Sequence, residues 1–526
     1  MSNEPSGRLA IPDANNLVDH FVDRHIREGR GSKAAVLSEN RTWTYAEVAD
    51  LVGRVGSGLQ KLGVRSGDRV LIVLLDSIEF AACYFGAIKI GAVPVPTNPY
   101  LRAQDYAYFL DESQALVLVA DVSVEREIAS IVEGRLHLAH TIVVGAGSGS
   151  HLAWQDWVAD SSPEPDACGG SQRGAFWLWT SGSTGMPKAA VHGYSDWRHC
   201  CEHYARGVLG INENDVTFSS SKLFHAYGLG NALMFPFHVG ATTILDSGKS
   251  QARPLLEKAR RFRPTLFFSV PTLYAAMLEL TDAPHAYDLS SVRHAVSAAE
   301  PLPAEIFKKW KRRFGMEILD GVGSTELLHI YLSSRPGRVR PGSTGQPVDG
   351  YELRIVDENG KDVPEGVVGD LIVHGRSAAS CYWNRKELSA ERMRGAWFYT
   401  GDRFSADADG YFWFAGRSDD MFRCCGQWVS PMEVENTLLE HPAVLEVAVA
   451  PSEQANGLVI PQAFIVLRHG IAQSTDLIHE LQQHVKQKIS PYKYPRRIEF
   501  LEQLPRNAAG KLVRYKLHTG VARDSV

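Results

Sequence analysis

Short, nearly continuous apolar runs alternate with amphipathic stretches through the first two thirds of the chain. RVLIVLLDS (69–77) is followed by IEFAACYFGAIKIG (78–91) and then by AVPVPTN (92–98), which predicts strand, helix, strand. That alternation belongs to a parallel sheet covered by helices. The same rhythm predicts strands at 115–120, 141–144, 176–180, 242–245, 266–270 and 294–297. Two α/β layers in one large domain is the economical reading. After about residue 340 the texture changes to closely spaced β segments. YELRIVD, a DENG turn and VVGDLIVHG are followed by WFYTGD, an ADADG turn and YFWFAG. Hairpin punctuation of this kind predicts a small barrel-like subdomain. From about 419, strands (LEVAVAP, QAFIVL, RIEFL) interleave with helices (PMEVENTLLEHP, LIHELQQHVKQKI), giving an α+β unit.

One basic stretch needs separate treatment. In PAEIFKKWKRRFG (303–315), Ile306, Phe307, Trp310 and Phe314 share one helical face, so Lys308, Lys309, Lys311, Arg312 and Arg313 are expected to project into solvent. Composition agrees that this is no nucleic-acid stripe: 55 Lys plus Arg against 60 Asp plus Glu leave a net charge of −5 over 526 residues. Seven cysteines, an odd number and partly vicinal, argue for free thiols in a reducing compartment. None sits in a CxxC pair, and the N-terminus is polar with no apolar core of a secretory signal. Apolar runs such as 70–75 fall far short of the ~20 residues of a spanning helix. A soluble, cytoplasmic protein without a membrane or nucleic-acid partner is expected.

The most informative segment is FWLWTSGSTGMPKAAVHG (176–193). An apolar strand runs into Thr180, Ser181, Gly182, Ser183, Thr184 and Gly185, with Lys188 three residues on. Glycines permit close backbone approach, and hydroxyls and a lysine offer hydrogen bonds to phosphate oxygens. It is not a Walker A loop, because Ala189 stands where a Ser or Thr would follow the lysine. Further along lie Gly323-Ser324-Thr325-Glu326, Tyr399-Thr400-Gly401-Asp402, Gly416-Arg417-Ser418-Asp419-Asp420 and Pro505-Arg506-Asn507-Ala508-Ala509-Gly510-Lys511. In this order the motifs resemble the adenylate-forming superfamily of acyl-CoA and aryl-CoA ligases, luciferases and peptide-synthetase adenylation domains.

The resemblance implies a large AMP-binding domain over 1–418, with its β-rich subdomain at about 340–418. A small mobile α+β domain over 419–526 would carry the catalytic lysine. It also implies ATP, Mg2+ and coenzyme A as reactants, with no prosthetic group. Lys511 would lie between the carboxylate and the α-phosphate, Thr325 would contact that phosphate, and Glu326 would hold the metal. The 180–188 loop would cover the β- and γ-phosphates, Asp402 would accept from both ribose hydroxyls, and Arg417 would reach the ribose or phosphate. Ala299, Glu300, Pro301, Asp320, Gly321, Val322 and Gly323 would frame the nucleotide. Asp419 is at the hinge position, and Gly426 would admit the pantetheine thiol. These roles suit the chemistry: a carboxylate is already ionised at neutral pH, so its attack on ATP needs positive charge and donors rather than a general base.

The segments 222–245 and 319–337 look like the benzoate–CoA ligase branch. By position, His225, Ala226, Tyr227, Leu328, His329 and Ile330 would line a small flat acid pocket, whose aromatic and branched walls suit an aryl ring. His225 stands where benzoate ligases commonly carry an aromatic residue; it reads either as a gate to the thiol tunnel or as a partner for a polar ring substituent. The second reading favours 2-aminobenzoate or a hydroxybenzoate over benzoate. Val322 replaces a frequent Tyr, making adenine stacking aliphatic, and Asn507 replaces the usual Thr near Lys511. A stand-alone enzyme loading a separate carrier protein, an inactive nucleotide-binding regulator and a luciferase-like oxygenase share these motifs. A homodimer is compatible with all of them.

Overall fold

The computed structural model describes residues 17–145, 151–165, 176–180, 186–280, 287–417, 420–424, 427–453, 459–506, 512 and 514–517. The predicted strands form, the first ending four residues early at Val73 and the others with ends shifted by at most a residue or two: Arg69–Val73, Val93–Pro96, Val117–Asp121, His140–Val144, Phe176–Thr180, Thr242–Ile244, Leu266–Ser269 and His294–Ser297. Two sheets organise the large N-terminal domain. One is a five-stranded parallel sheet in the order Val93–Pro96, Arg69–Val73, Val117–Asp121, His140–Val144, Leu152–Ala153. The other has nine strands, with a parallel centre built from Ile318–Gly323, His294–Ser297, Leu266–Ser269, Val216–Ser219, Thr242–Ile244 and Ala34–Leu37.

The unbroken apolar runs have a physical cause in the layering. Val70, Ile72, Val117 and Val119 enter the main core, while their neighbours Leu71, Val73 and Leu118 enter another on the opposite face of the same sheet. Leu266 and Phe268 likewise face the main core and Phe267 a third one. Strands buried on both faces have no polar side to alternate with. Helices Tyr45–Lys61 and Ile78–Lys89 pack into the main core. They approach so closely that a Cβ on Gly86 would stand 2.6 Å from Val55 Cγ1. The first of them is opened by a capping box, with Thr44 accepting from the Glu47 N–H and Glu47 from the Thr44 N–H.

The β-rich segment forms a five-stranded antiparallel sheet from Tyr351–Val356, Gly369–Gly375, Trp397–Ala406, Met393–Arg394 and Phe412–Arg417. A small C-terminal domain follows. Its sheet pairs Val444–Glu453 with Val459–Leu467 and the latter with Arg497–Phe500, and helices Pro431–Leu439 and Thr475–Lys488 supply residues to its core. Among the described residues, no helix is long and apolar enough to cross a membrane. Cys83, Cys200, Cys201 and Cys381 are free thiols.

The basic helix forms over Ala304–Phe314 with Phe307 and Trp310 buried. One of its charges departs from expectation. Arg313 does not project into solvent: its guanidinium donates to the carbonyls of Met277, Leu278 and Leu280 at 3.2, 2.9 and 2.9 Å. Helix Pro271–Leu278 ends there and leaves those carbonyls without helical partners.

Candidate active site

Ligands of open parallel sheets bind beyond the carboxyl ends of the strands, and most of the candidate residues collect there. Val216–Ser219 leads into His225, Ala226 and Tyr227; His294–Ser297 leads into Ala299, Glu300 and Pro301; and Ile318–Gly323 itself carries Asp320, Gly321, Val322 and Gly323. The last two of these strands are neighbours, with Ser297 opposite Asp320. Ala299 takes a left-handed φ of 73° at the first bend.

The anion-handling groups converge through pairings remote in sequence. Cys381–Tyr382 adds to the edge of Lys188–His192, placing Tyr382 opposite Ala190. The Tyr382 ring therefore lies under the Lys188 ammonium at 4.5 Å, and its hydroxyl donates to Glu326 Oε1 at 2.7 Å. Burial lowers the pKa of Lys188; Glu326 opposes that shift, whereas Arg392 and Arg417 add to it. Lys188, Arg392 and Arg417 thus share one field around the buried Glu326 carboxylate. Asp402 sits opposite Arg417 in the hairpin register, and Arg417 Nη1 donates to its Oδ1 at 3.1 Å.

Glu326 fits a magnesium ion of the kind held mainly by substrate phosphates and water. Among the described residues no group of three or more His, Cys, Asp or Glu could hold a metal, and Mg2+ is commonly bound through one or two carboxylates plus phosphate oxygens.

Three residues beyond Glu326, His329 is the centre of a buried aromatic cluster. Tyr227 directs its hydroxyl to the carbonyls of Ser269 and Val296 at 3.3 and 3.4 Å, and its ring is 5.5 Å from that of His329. Phe235 and Tyr204 also pack on His329, at 4.5 and 5.5 Å. Burial pushes the pKa of His329 down to about 3, so the ring is neutral at pH 7. Its Nε2 faces the Tyr227 carbonyl at 3.4 Å, and its Nδ1 is buried without a hydrogen-bond partner. Leu328, Ile330 and Ala226 are buried. His225 is half-buried with its ring 4.3 Å from Phe224. Of these candidates, Tyr227 and His329 are in contact, and Ala226, Leu328 and Ile330 flank them in the chain.

Other candidates sit in varied surroundings. The Glu300 carboxylate takes the Thr272 hydroxyl at 2.7 Å and lies 3.8 Å from Arg506 of the small domain. Asp320 is buried, which raises its pKa well above the carboxylate range, and its Oδ1 has no partner. Thr180 ends its strand and pairs with Lys188. Ser181, Gly182, Ser183, Thr184, Gly185, Asp419, Cys425, Gly426, Asn507 and Lys511 lie outside the described residues. Sequence reasoning missed Tyr382 and Arg392. The only signal was a Tyr and an Arg in a segment between two recognised motifs, and neither carries its meaning without the fold.

Charged residues brought together by short antiparallel pairings, with a buried aromatic cluster around the neutral His329 following Glu326 in the chain, sit in an α/β fold whose parallel strands point their carboxyl ends toward the same loops. The chain belongs to the AMP-binding enzyme family: the family's main model matches residues 22–383, and the AMP-binding enzyme C-terminal domain matches 433–511. It lies on the benzoate–CoA ligase branch, among AMP-forming acid–thiol ligases. It is 43% identical to the benzoate–CoA ligase of Thauera aromatica over 98% of both chains. The structure of the anthranilate CoA ligase AuaEII in complex with anthranoyl-AMP superposes with a TM-score of 0.92 at 40% identity, over 96% of this chain and 97% of that one. A benzoate CoA ligase from Burkholderia xenovorans LB400 superposes at 0.89 and 39% identity, over 96% and 99%.

Proposed function

We propose that this protein is an ATP-dependent aryl-CoA ligase for benzoate-type acids bearing a hydrogen-bond donor on the ring, with 2-aminobenzoate the first choice and hydroxybenzoates next. The observation that carries the substrate reading is His329. A neutral imidazole has one N–H, and the Nε2 contact with a carbonyl takes it, which leaves Nδ1 as a buried acceptor. An amino or hydroxyl hydrogen that reaches Nδ1 satisfies that acceptor and gains affinity that an unsubstituted ring does not. Asn231 lies beside the Tyr227 hydroxyl, fully buried, and adds polarity to the same wall.

In the first half-reaction a carboxylate oxygen attacks the α-phosphorus, the bond to the bridging oxygen breaks and pyrophosphate leaves. Lys188, Arg392 and Arg417 supply the fixed positive field that this meeting of anions requires. Thr325 and Lys511 contact the α-phosphate, and Asp402 takes the ribose hydroxyls. Glu326 would hold a magnesium ion, which would neutralise phosphate charge there. In the second half-reaction the coenzyme A thiol sulfur attacks the acyl carbon, AMP leaves and the thiol proton goes to solvent. The small domain, hinged at Asp419, changes its presented face between the halves, bringing Gly426 to the thiol path.

The test is pyrophosphate release with benzoate, 2-aminobenzoate, the hydroxybenzoates, cyclohexanecarboxylate and short fatty acids, with and without coenzyme A. Highest kcat/KM with an amino or hydroxy acid is expected. Preference for benzoate removes the role given to His329, and no aryl turnover overturns the substrate class. Product formation independent of coenzyme A favours a carrier protein as acceptor.

A further inference from the structure

The turn Thr325–Leu327 is a single 3-10 turn followed by Leu328 at φ 70°, ψ −42°. A leucine rarely adopts that backbone conformation, and such a residue persists only where its surroundings over-determine it. Here three successive carbonyls each receive a donor from outside the turn. His192 Nε2 donates to the Thr325 carbonyl at 2.8 Å, the Ala379 N–H to that of Glu326 at 2.7 Å, and the Ser377 hydroxyl to that of Leu327 at 2.8 Å. The Leu327 carbonyl also receives the His329 N–H at 2.9 Å.

Both side-chain donors are themselves held. His192 is fully buried, stacked on Phe176 at 5.3 Å and 12°, with Nδ1 3.0 Å from Asp196 Oδ2. Ser377 is fully buried and 2.8 Å from the Tyr351 hydroxyl. Because the one Ser377 proton goes to Leu327, the Tyr351 hydroxyl is the donor in that pair. The Cys200 sulfur lies 3.4 Å behind Tyr351.

We propose that Ser377 and His192 are positioning residues that clamp this turn, and that the clamp makes nucleotide and acid recognition one mechanical unit. Two residues of the turn, Thr325 and Glu326, point to the phosphates, and the next three, Leu328, His329 and Ile330, form the acid wall; this assignment rests on the function proposed above. His192 holds the nucleotide end of the turn and Ser377 the acid end. Loss of the Ser377 hydroxyl therefore disturbs the acid wall first, while the Thr325 carbonyl keeps its own donor.

The experiment compares wild type with Ser377→Ala, Ser377→Thr and Tyr351→Phe, using whichever carboxylate the wild type turns over best. For Ser377→Ala a rise of about tenfold in KM for the acid is expected, with KM for ATP changed less than about twofold. Ser377→Thr, which keeps the hydroxyl, restores the acid KM, and Tyr351→Phe, which removes only the supporting donor, gives a smaller rise. Hydrogen exchange of the peptide spanning 324–333 is measured alongside and needs no turnover. Faster exchange of the His329 amide in Ser377→Ala, with strand 69–73 unchanged, is expected. The proposal is overturned if kcat falls with both KM values unmoved, if Thr and Ala behave alike, or if exchange at 324–333 does not change. Should Ser377→Ala fail to fold, the Tyr351→Phe exchange and KM values decide alone. A wild type inactive on aryl acids but with the exchange response intact would refute the proposed substrate class and leave the clamp standing.

Discussion

At the scale of single residues the site depends on groups whose neighbours are set by packing. Tyr382 donates to the carboxylate that is assigned to magnesium, and it carries the Lys188 ammonium on its ring face. Tyr382→Phe keeps the ring and removes the donor. A fall of about tenfold in kcat/KM is expected, with half-saturation in Mg2+ moved to higher concentration, because a charge-assisted hydrogen bond orients the ligand. Initial rates over a magnesium titration check this. His329 adds a pH dependence whose sign follows from its burial. Folding holds it at about 3 against 6.5 for the free group, so between those values the unfolded chain binds the proton and the folded one does not. Stability therefore falls as pH drops through 6.5. Relative to wild type, His329→Gln should be spared about 2 kcal/mol of the loss between pH 7.5 and 5, read from denaturant midpoints. An identical slope in both proteins would remove the buried neutral histidine from the account.

Elements were legible to the extent that their signal is local. The strands at 176–180 and 294–297 form where the apolar runs place them, because burial on both faces writes itself into consecutive residues. Helix Ala304–Phe314 was equally plain, since its apolar residues repeat at helical spacing. What periodicity cannot show is where a charged residue's head goes. Arg313 sits on the polar side of the pattern, yet it ends another helix by binding three carbonyls. Arg313→Ala is expected to cost about 1–3 kcal/mol in stability, because it strands partly buried carbonyls, while KM for ATP and the acid stays unchanged. Chemical denaturation beside steady-state kinetics separates the two. Short pairings were missed for the same reason. Cys381–Tyr382 is too brief to carry a period, and only its partner strand makes it a strand.

For the whole molecule, the family motifs announce two domains, and contacts between them appear in the fold. Arg506 of the small domain reaches Thr272 at 3.3 Å and lies 3.8 Å from Glu300, both of the large domain, while holding Glu446 of its own domain at 2.9 Å. Arg468 pairs with Glu279 across the same divide. Under the proposed mechanism Lys511→Ala abolishes aryl-AMP formation and spares thioester formation from supplied aryl-AMP, because the role proposed for the lysine is confined to the adenylating half-reaction. If the proposed hinge is at Asp419, Asp419→Pro separates the half-reactions, because proline restricts the backbone there. Single-turnover assays of each half-reaction decide both, and equal loss of the two in Lys511→Ala would refute the assigned role.

By itself the sequence determined the class of fold, the order of the motifs and the kind of chemistry, because periodicity and motif spacing are properties of neighbouring residues. It also showed that the net charge of −5 says little about a reaction between anions. Only the tertiary structure decided that Tyr382 joins Lys188 to Glu326, that Arg313 is an internal cap, and that His329 is a buried neutral ring with an unpaired Nδ1. Each of these depends on a contact between segments far apart in the chain. The energy of such a contact comes from burial and from the partner across the fold, and neither can be read from local sequence.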